Sequence, residues 1–157
     1  MQKLFIISLF LFGLSKSMSQ INFEKGTLSE KELEFLEQTF KWNDSLLIVN
    51  FKQPKHNCHY DNYQNFNQSK KWWKKFYSKI DLQNVHNVFV FSDRIAAKKF
   101  IDDEVYFEDR HNFLLNKFFN KYPFCVAVMV INQKGNFELK GSEYSEEQVS
   151  KMIESLR

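Results

Sequence analysis

The chain has 157 residues, of which 43% are apolar and 26% charged; its formal net charge is +3, and it holds four Gly, two Pro and two Cys. That length is one ordinary domain, able to bury a core without metals or disulfide staples. The composition excludes a disordered, collagen-like or acidic-tail chain, two Cys exclude a disulfide framework or a four-Cys zinc site, and the charge is too small to argue for nucleic acid.

Met1-Gln2-Lys3 is a short positive start, followed at 4–14 by LFIISLFLFGL, apolar except for Ser8 and Gly13. A membrane span needs about 20 apolar residues, and this run is roughly half that. Ser17 and Ser19 put small residues at the two positions a signal peptidase reads. The expectation is a cleaved secretory signal over 1–19 and one domain over 20–157. The mature protein would be periplasmic or secreted, where thiols can oxidise. No Cys stands near the cut, which argues against a lipid anchor, and no second apolar run could span a bilayer.

Residues 21–23 predict a short first strand. Ser29 followed by Glu32 is a capping box, with Leu28 and Leu33 as a hydrophobic staple, and Leu33, Leu36 and Phe40 carry the helical period to about 40. Residues 41–44 read as a turn. The run LLIVNF at 46–51 reads as a buried strand, and 52–59 as a polar loop containing Pro54. A helix is expected over 61–80. Tyr63, Phe66, Trp73, Phe76, Tyr77 and Ile80 share its inner face, most lysines face outward, and Trp72 falls at the border.

VFVFS at 88–92 predicts another buried strand, and Asp93 a cap for a helix over 94–101. The acidic stretch 102–109 reads as a loop. Phe113, Leu114, Lys117 and Phe118 suggest a helix ending near 120. Pro123 opens an expected strand at 124–131 (FCVAVMVI). Residues 132–135 form a hairpin turn, and 136–140 alternate like an edge strand. Ser145 and Gln148 make a second capping box, and Val149, Met152, Ile153 and Leu156 a last buried stripe. The run KKWWKKFYSK at 70–79 could suggest an anionic partner, but its period makes it a solvated helix face. No internal repeat or linker divides the chain.

The order β-α-β-α-β-α-β-β-α predicts an α/β layer fold with a mixed central sheet flanked by helices. This order resembles the thioredoxin-like fold over nearly the whole domain. The strand at 46–51 with its polar loop and helix is similar to the strand, active loop and helix of thioredoxins and peroxiredoxins. Ser92-Asp93, Lys99-Phe100 and Glu108-Asp109 resemble the middle of the alkyl hydroperoxide reductase/thiol-specific antioxidant branch. Tyr122-Pro123 before a strand that ends in Asn132-Gln133-Lys134-Gly135 resembles the cis-proline region of the family. The Cys-x-x-Cys signature is absent: Cys58-His59-Tyr60-Asp61 has Asp where the second Cys would stand.

The resemblance implies Cys58 at a helix N-terminus, where the dipole and free N–H groups stabilise a thiolate. Lys55 and His56 would lower its pKa, and Pro123, with Tyr122 before it, would shape a substrate groove. A single-Cys site needs an external thiol to resolve its intermediate. The contrasting reading is a Cys58 that is inert or held in a disulfide. Cys125, in an apolar run, reads first as a core residue; the resemblance offers it as a partner for Cys58. His56, Cys58, His59 and Asp61 could also gather around copper or zinc, although the spacing matches no zinc signature.

Two functions follow. One is an atypical thiol oxidoreductase or peroxidase acting through Cys58 on protein thiols or disulfides. The other is a non-catalytic thioredoxin-like module that binds a protein of the cell envelope. Copper or zinc binding is a more distant third. No cofactor, nucleic acid or membrane span is assigned.

Overall fold

A computed structural model describes residues 23–54, 58, 63–122 and 124–157. The expected signal segment at 1–19 and part of the first expected strand lie outside the described residues. So do Lys55, His56, His59, Asp61 and Pro123.

Among the described residues, six strands form one mixed sheet: β1 (Glu24–Thr27), β2 (Leu46–Lys52), β3 (Val85–Phe91), β4 (Tyr106–Glu108), β5 (Val126–Asn132) and β6 (Asn136–Lys140). Their spatial order is β1-β6-β5-β2-β3-β4. β2, β3 and β4 run parallel, while β5 is antiparallel to β2, β6 to β5 and β1 to β6. The helices are α1 (Glu30–Phe40), α2 (Phe66–Tyr77), the single turn α3 (Arg94–Ala97) and α4 (Glu146–Leu156). A π-helical turn at Leu115–Phe119 precedes β5.

The strands are apolar because both faces of the sheet are covered. One face carries Leu47, Val49, Phe51, Val88, Val90, Ala127, Met129 and Ile131 against Leu36 and Phe40 of α1 and against Leu114 and Phe119. Phe51 stacks on Phe119 with ring centroids 4.3 Å apart. The other face carries Leu46, Ile48, Phe89, Val128 and Val130 against Trp73, Phe76 and Tyr77 of α2 and Val149, Met152 and Ile153 of α4. Burying one such side chain fully stabilises the fold by about 1.5–3 kcal/mol. Among the described residues, no helix is long and apolar enough to cross a membrane.

Local signals place the helix starts. Ser29 N donates to Glu32 Oε2 at 2.8 Å. Ser145 and Gln148 cap each other, at 3.0 Å from Ser145 N to Gln148 Oε1 and 3.3 Å from Gln148 N to Ser145 Oγ. Asp93 Oδ1 accepts from Ile95 N and Ala96 N, both at 3.0 Å. Gly135 turns the β5–β6 hairpin at φ +79°, a conformation costly for other residues, with its N–H on Asn132 O at 2.8 Å.

Among the described residues the first strand is β1, which begins at Glu24. Three expectations are corrected. The acidic stretch 102–109 is not all loop, because Tyr106–Glu108 adds β4 alongside β3. Asp102 makes this possible: its Oδ1 accepts from Glu104 N at 3.0 Å and from Val105 N and Tyr106 N at 2.8 Å, turning the chain into the strand. α3 stops after one turn rather than running to 101. β5 begins at Val126, so Phe124 and Cys125 precede it instead of opening it.

Candidate functional site

Topology brings the two cysteines together. β2 ends at Lys52, and Cys58 lies in the segment that follows. β5 is antiparallel to β2, with Val126 opposite Lys52, so the residues entering β5 lie beside those leaving β2. Cys125 is the residue just before β5. Gln53 N donates to Cys125 O at 2.9 Å, which carries the pairing one step past the strand. Cys58 and Cys125 form a disulfide with Cα atoms 5.9 Å apart, across 67 positions of sequence.

The expectation of Cys125 as a core strand residue is thus corrected. It sits one position outside the pleat, so strict alternation does not dictate its direction. Cys58 is also not the lone thiol of the single-Cys reading: neither cysteine is free. The two residues differ in exposure. Cys58 is 3% exposed, whereas Cys125 is partly exposed and its neighbour Phe124 is 43% exposed.

Lys52, expected in the polar loop, belongs to the strand instead. It is the last residue of β2 and is 3% exposed. Alternation with Leu46, Ile48 and Asn50 turns it toward α2. Its Nζ is 3.3 Å from Ser69 Oγ and lies over the rings of Trp73 and Phe89, 4.7 and 5.4 Å from their centroids. An ammonium over aromatic faces is held by their negative quadrupole. The only sequence signal was its even spacing from Leu46.

On the same face, Asn50 is 1% exposed and fully engaged. Its Nδ2 donates to Asn87 Oδ1 at 2.7 Å and Val88 O at 2.8 Å. Its Oδ1 accepts from the hydroxyls of Tyr77 and, at 2.7 Å, Tyr144. Burial, only partly offset by these hydrogen bonds, pushes the Tyr77 phenol above its usual range, so it remains a neutral donor.

Tyr122, expected to line a groove, is held by contacts within the chain. Its hydroxyl donates to Glu24 Oε2, and its backbone O accepts from Gln53 Nε2 at 3.1 Å. Lys121 Nζ bonds Glu24 at 2.8 Å. Hydrogen bonds from Lys121 and then Tyr122 hold the Glu24 carboxyl below its usual range. Burial, then the bond to Glu24, raises the Tyr122 phenol. Earlier in the same connection, buried Asp109 accepts from Leu114 N at 2.9 Å and Leu115 N at 2.8 Å, starting the helical turn that leads to Tyr122.

The expected metal set rests on His56 and His59, which lie outside the described residues. Among the described residues no cluster of three His, Cys, Asp or Glu could hold a metal. A polar cavity of about 490 Å³, lined by residues including Gln83, Asn132 and Arg157, opens beside the first residue of β2, Leu46. The disulfide follows the far end of that strand, so the cavity takes no part in its chemistry. No protein-family model, curated protein or solved structure matches the chain.

Proposed function

We propose that this chain is a thioredoxin-like α/β protein of the periplasm or extracellular space, exchanging thiols and disulfides through the Cys58–Cys125 pair. The observation that carries the reading is the disulfide placed between the segment leaving β2 and the residue entering β5. Support for the fold comes from the β2–α2–β3 unit with parallel strands, followed by the β5–β6 hairpin and α4. In open α/β sheets, sites gather at the carboxyl ends of parallel strands, where Cys58 follows β2. The apolar run at 4–14 and the oxidised pair support an oxidising compartment.

Access orders the chemistry. An external thiolate attacks Sγ of Cys125, the more exposed residue of the pair, forming a mixed disulfide and breaking the Cys58–Cys125 bond. Cys58 leaves as a thiolate and takes a proton from solvent. A second external thiolate then attacks the external sulfur of the mixed disulfide and releases Cys125. Two electrons pass from two partner thiols to the protein, and the partner leaves as a disulfide. The reverse sequence, starting from the dithiol protein, reduces a partner disulfide. Phe124, exposed beside Cys125, offers that partner an apolar contact.

The test is native alkylation and mass analysis of the full chain equilibrated in mixtures of reduced and oxidised glutathione. The reading expects reversible conversion between disulfide and dithiol, and turnover of a protein disulfide that Cys58→Ser abolishes. A pair that resists a strong dithiol until the protein unfolds would refute it. The burial of Cys58 favours a second reading, in which the disulfide is a staple in a non-catalytic binding module, and that outcome would select it.

A further inference from the structure

We propose that Tyr122 is a positioning residue that sets the redox balance of the Cys58–Cys125 pair, by strapping the segment that carries Cys125 to the edge of the sheet; the inference rests on the thiol-exchange reading above. Tyr122 stands three residues before Cys125 and is fastened at four points. Its N–H donates to Phe119 O at 3.0 Å, and its carbonyl accepts from Gln53 Nε2 at 3.1 Å. Its hydroxyl reaches Glu24, the first residue of β1. Its ring lies so close to Gly141 that a Cβ built there would fall 2.1 Å from Cγ of the ring. Only glycine leaves room for the ring in that place, and Gly141 directly follows β6.

These anchors share one end of the sheet. The register places Glu24 opposite Leu139, and Lys140 opposite Val128, so Glu24, Gly141 and the entry to β5 are neighbours. Gln53 joins both parts: its side chain holds the carbonyl of Tyr122, and its backbone N–H holds that of Cys125 at 2.9 Å. The clamp residue itself directly follows β2, on the way to Cys58.

The strap matters most in the reduced protein. With the disulfide intact, Cys125 is already tethered to Cys58. Once the bond is broken, the strap and Gln53 hold Cys125 on the side of the β2–β5 pairing that faces Cys58. Reach is effective concentration, and effective concentration sets the equilibrium between dithiol and disulfide. A merely structural role would weaken the oxidised and reduced proteins alike, and would leave that equilibrium where it was.

The experiment measures the equilibrium constant of the full chain against glutathione, with the folded state of each redox form checked by circular dichroism. Gly141→Ala, which displaces the ring, is expected to lower the constant for disulfide formation about tenfold, a shift of about 30 mV toward easier reduction. Tyr122→Phe, which keeps the ring and loses the hydroxyl that bonds Glu24, shifts it in the same direction by about threefold, and carries the test if Gly141→Ala does not fold. Unchanged constants in a wild-type protein that exchanges normally would overturn the strap and leave the thiol-exchange reading intact. A wild-type pair that never equilibrates with glutathione or a dithiol would overturn both.

Discussion

Breaking the Cys58–Cys125 bond is the perturbation whose size the structure sets most directly. The cysteines lie 67 positions apart, and closing a loop of that length removes enough entropy from the unfolded chain to stabilise the fold by about 4 kcal/mol. That corresponds to roughly three powers of ten in the folding equilibrium and about 15 °C in Tm for a domain of this size. The assay is urea unfolding of the same protein, oxidised and after reduction with dithiothreitol, followed by circular dichroism. Comparing the two forms leaves every side chain except the two sulfurs unchanged. The expected result is a reduced protein that is still folded, with its midpoint moved down by that amount. A difference below about 1 kcal/mol would refute the reasoning, because the folded dithiol protein would then hold its sulfurs hardly closer than the unfolded chain does. A reduced protein that does not fold would identify the bond as a staple and favour the binding-module reading.

Asn50→Leu removes the acceptor of the Tyr77 and Tyr144 hydroxyls and the donor to Val88 O, all on a buried strand, and should cost about 3 kcal/mol in urea unfolding. A loss under about 1 kcal/mol would show that the network contributes little. Asp102→Ala should cost about 1 kcal/mol at neutral pH, by freeing the three amides that turn the chain into β4. Burial pushes the Asp102 carboxyl up, but the amides of Tyr106, Val105 and Glu104 together outweigh it and hold the folded pKa below 3.8. The contribution is therefore fully present above the unfolded value of 3.8 and is lost as pH falls through the folded pKa. Unfolding midpoints of wild type and variant should converge on acidification; a gap that persists under strongly acidic conditions would contradict this assignment.

The elements that could be read from the chain are those whose cause is local. The capping boxes at Ser29 and Ser145, the Asp93 cap and the Gly135 turn are satisfied within a few residues of the signal. The apolar run at 46–51 needs both faces covered, whatever covers them, so it could be named a buried strand in advance. β4 could not be read, because its three residues become a strand only by lying beside β3. Nor could the burial of Lys52, which depends on Ser69, Trp73 and Phe89 arriving from α2 and β3. The place of Tyr122 before Pro123 points to a site residue, but nothing nearby in sequence announces Glu24 or Gly141, 98 and 19 positions away.

The sequence by itself therefore determined the α/β class, most helix starts and the two covered faces of the sheet. Each rests on periodicity or on hydrogen bonds that close within one turn of chain. Only the tertiary structure decided that Cys58 meets Cys125 and that Tyr122 is fastened to the sheet edge. Those contacts depend on β5 running antiparallel beside β2 and on β1 pairing with β6, and strand pairing is a choice among partners distant in sequence that no local pattern encodes.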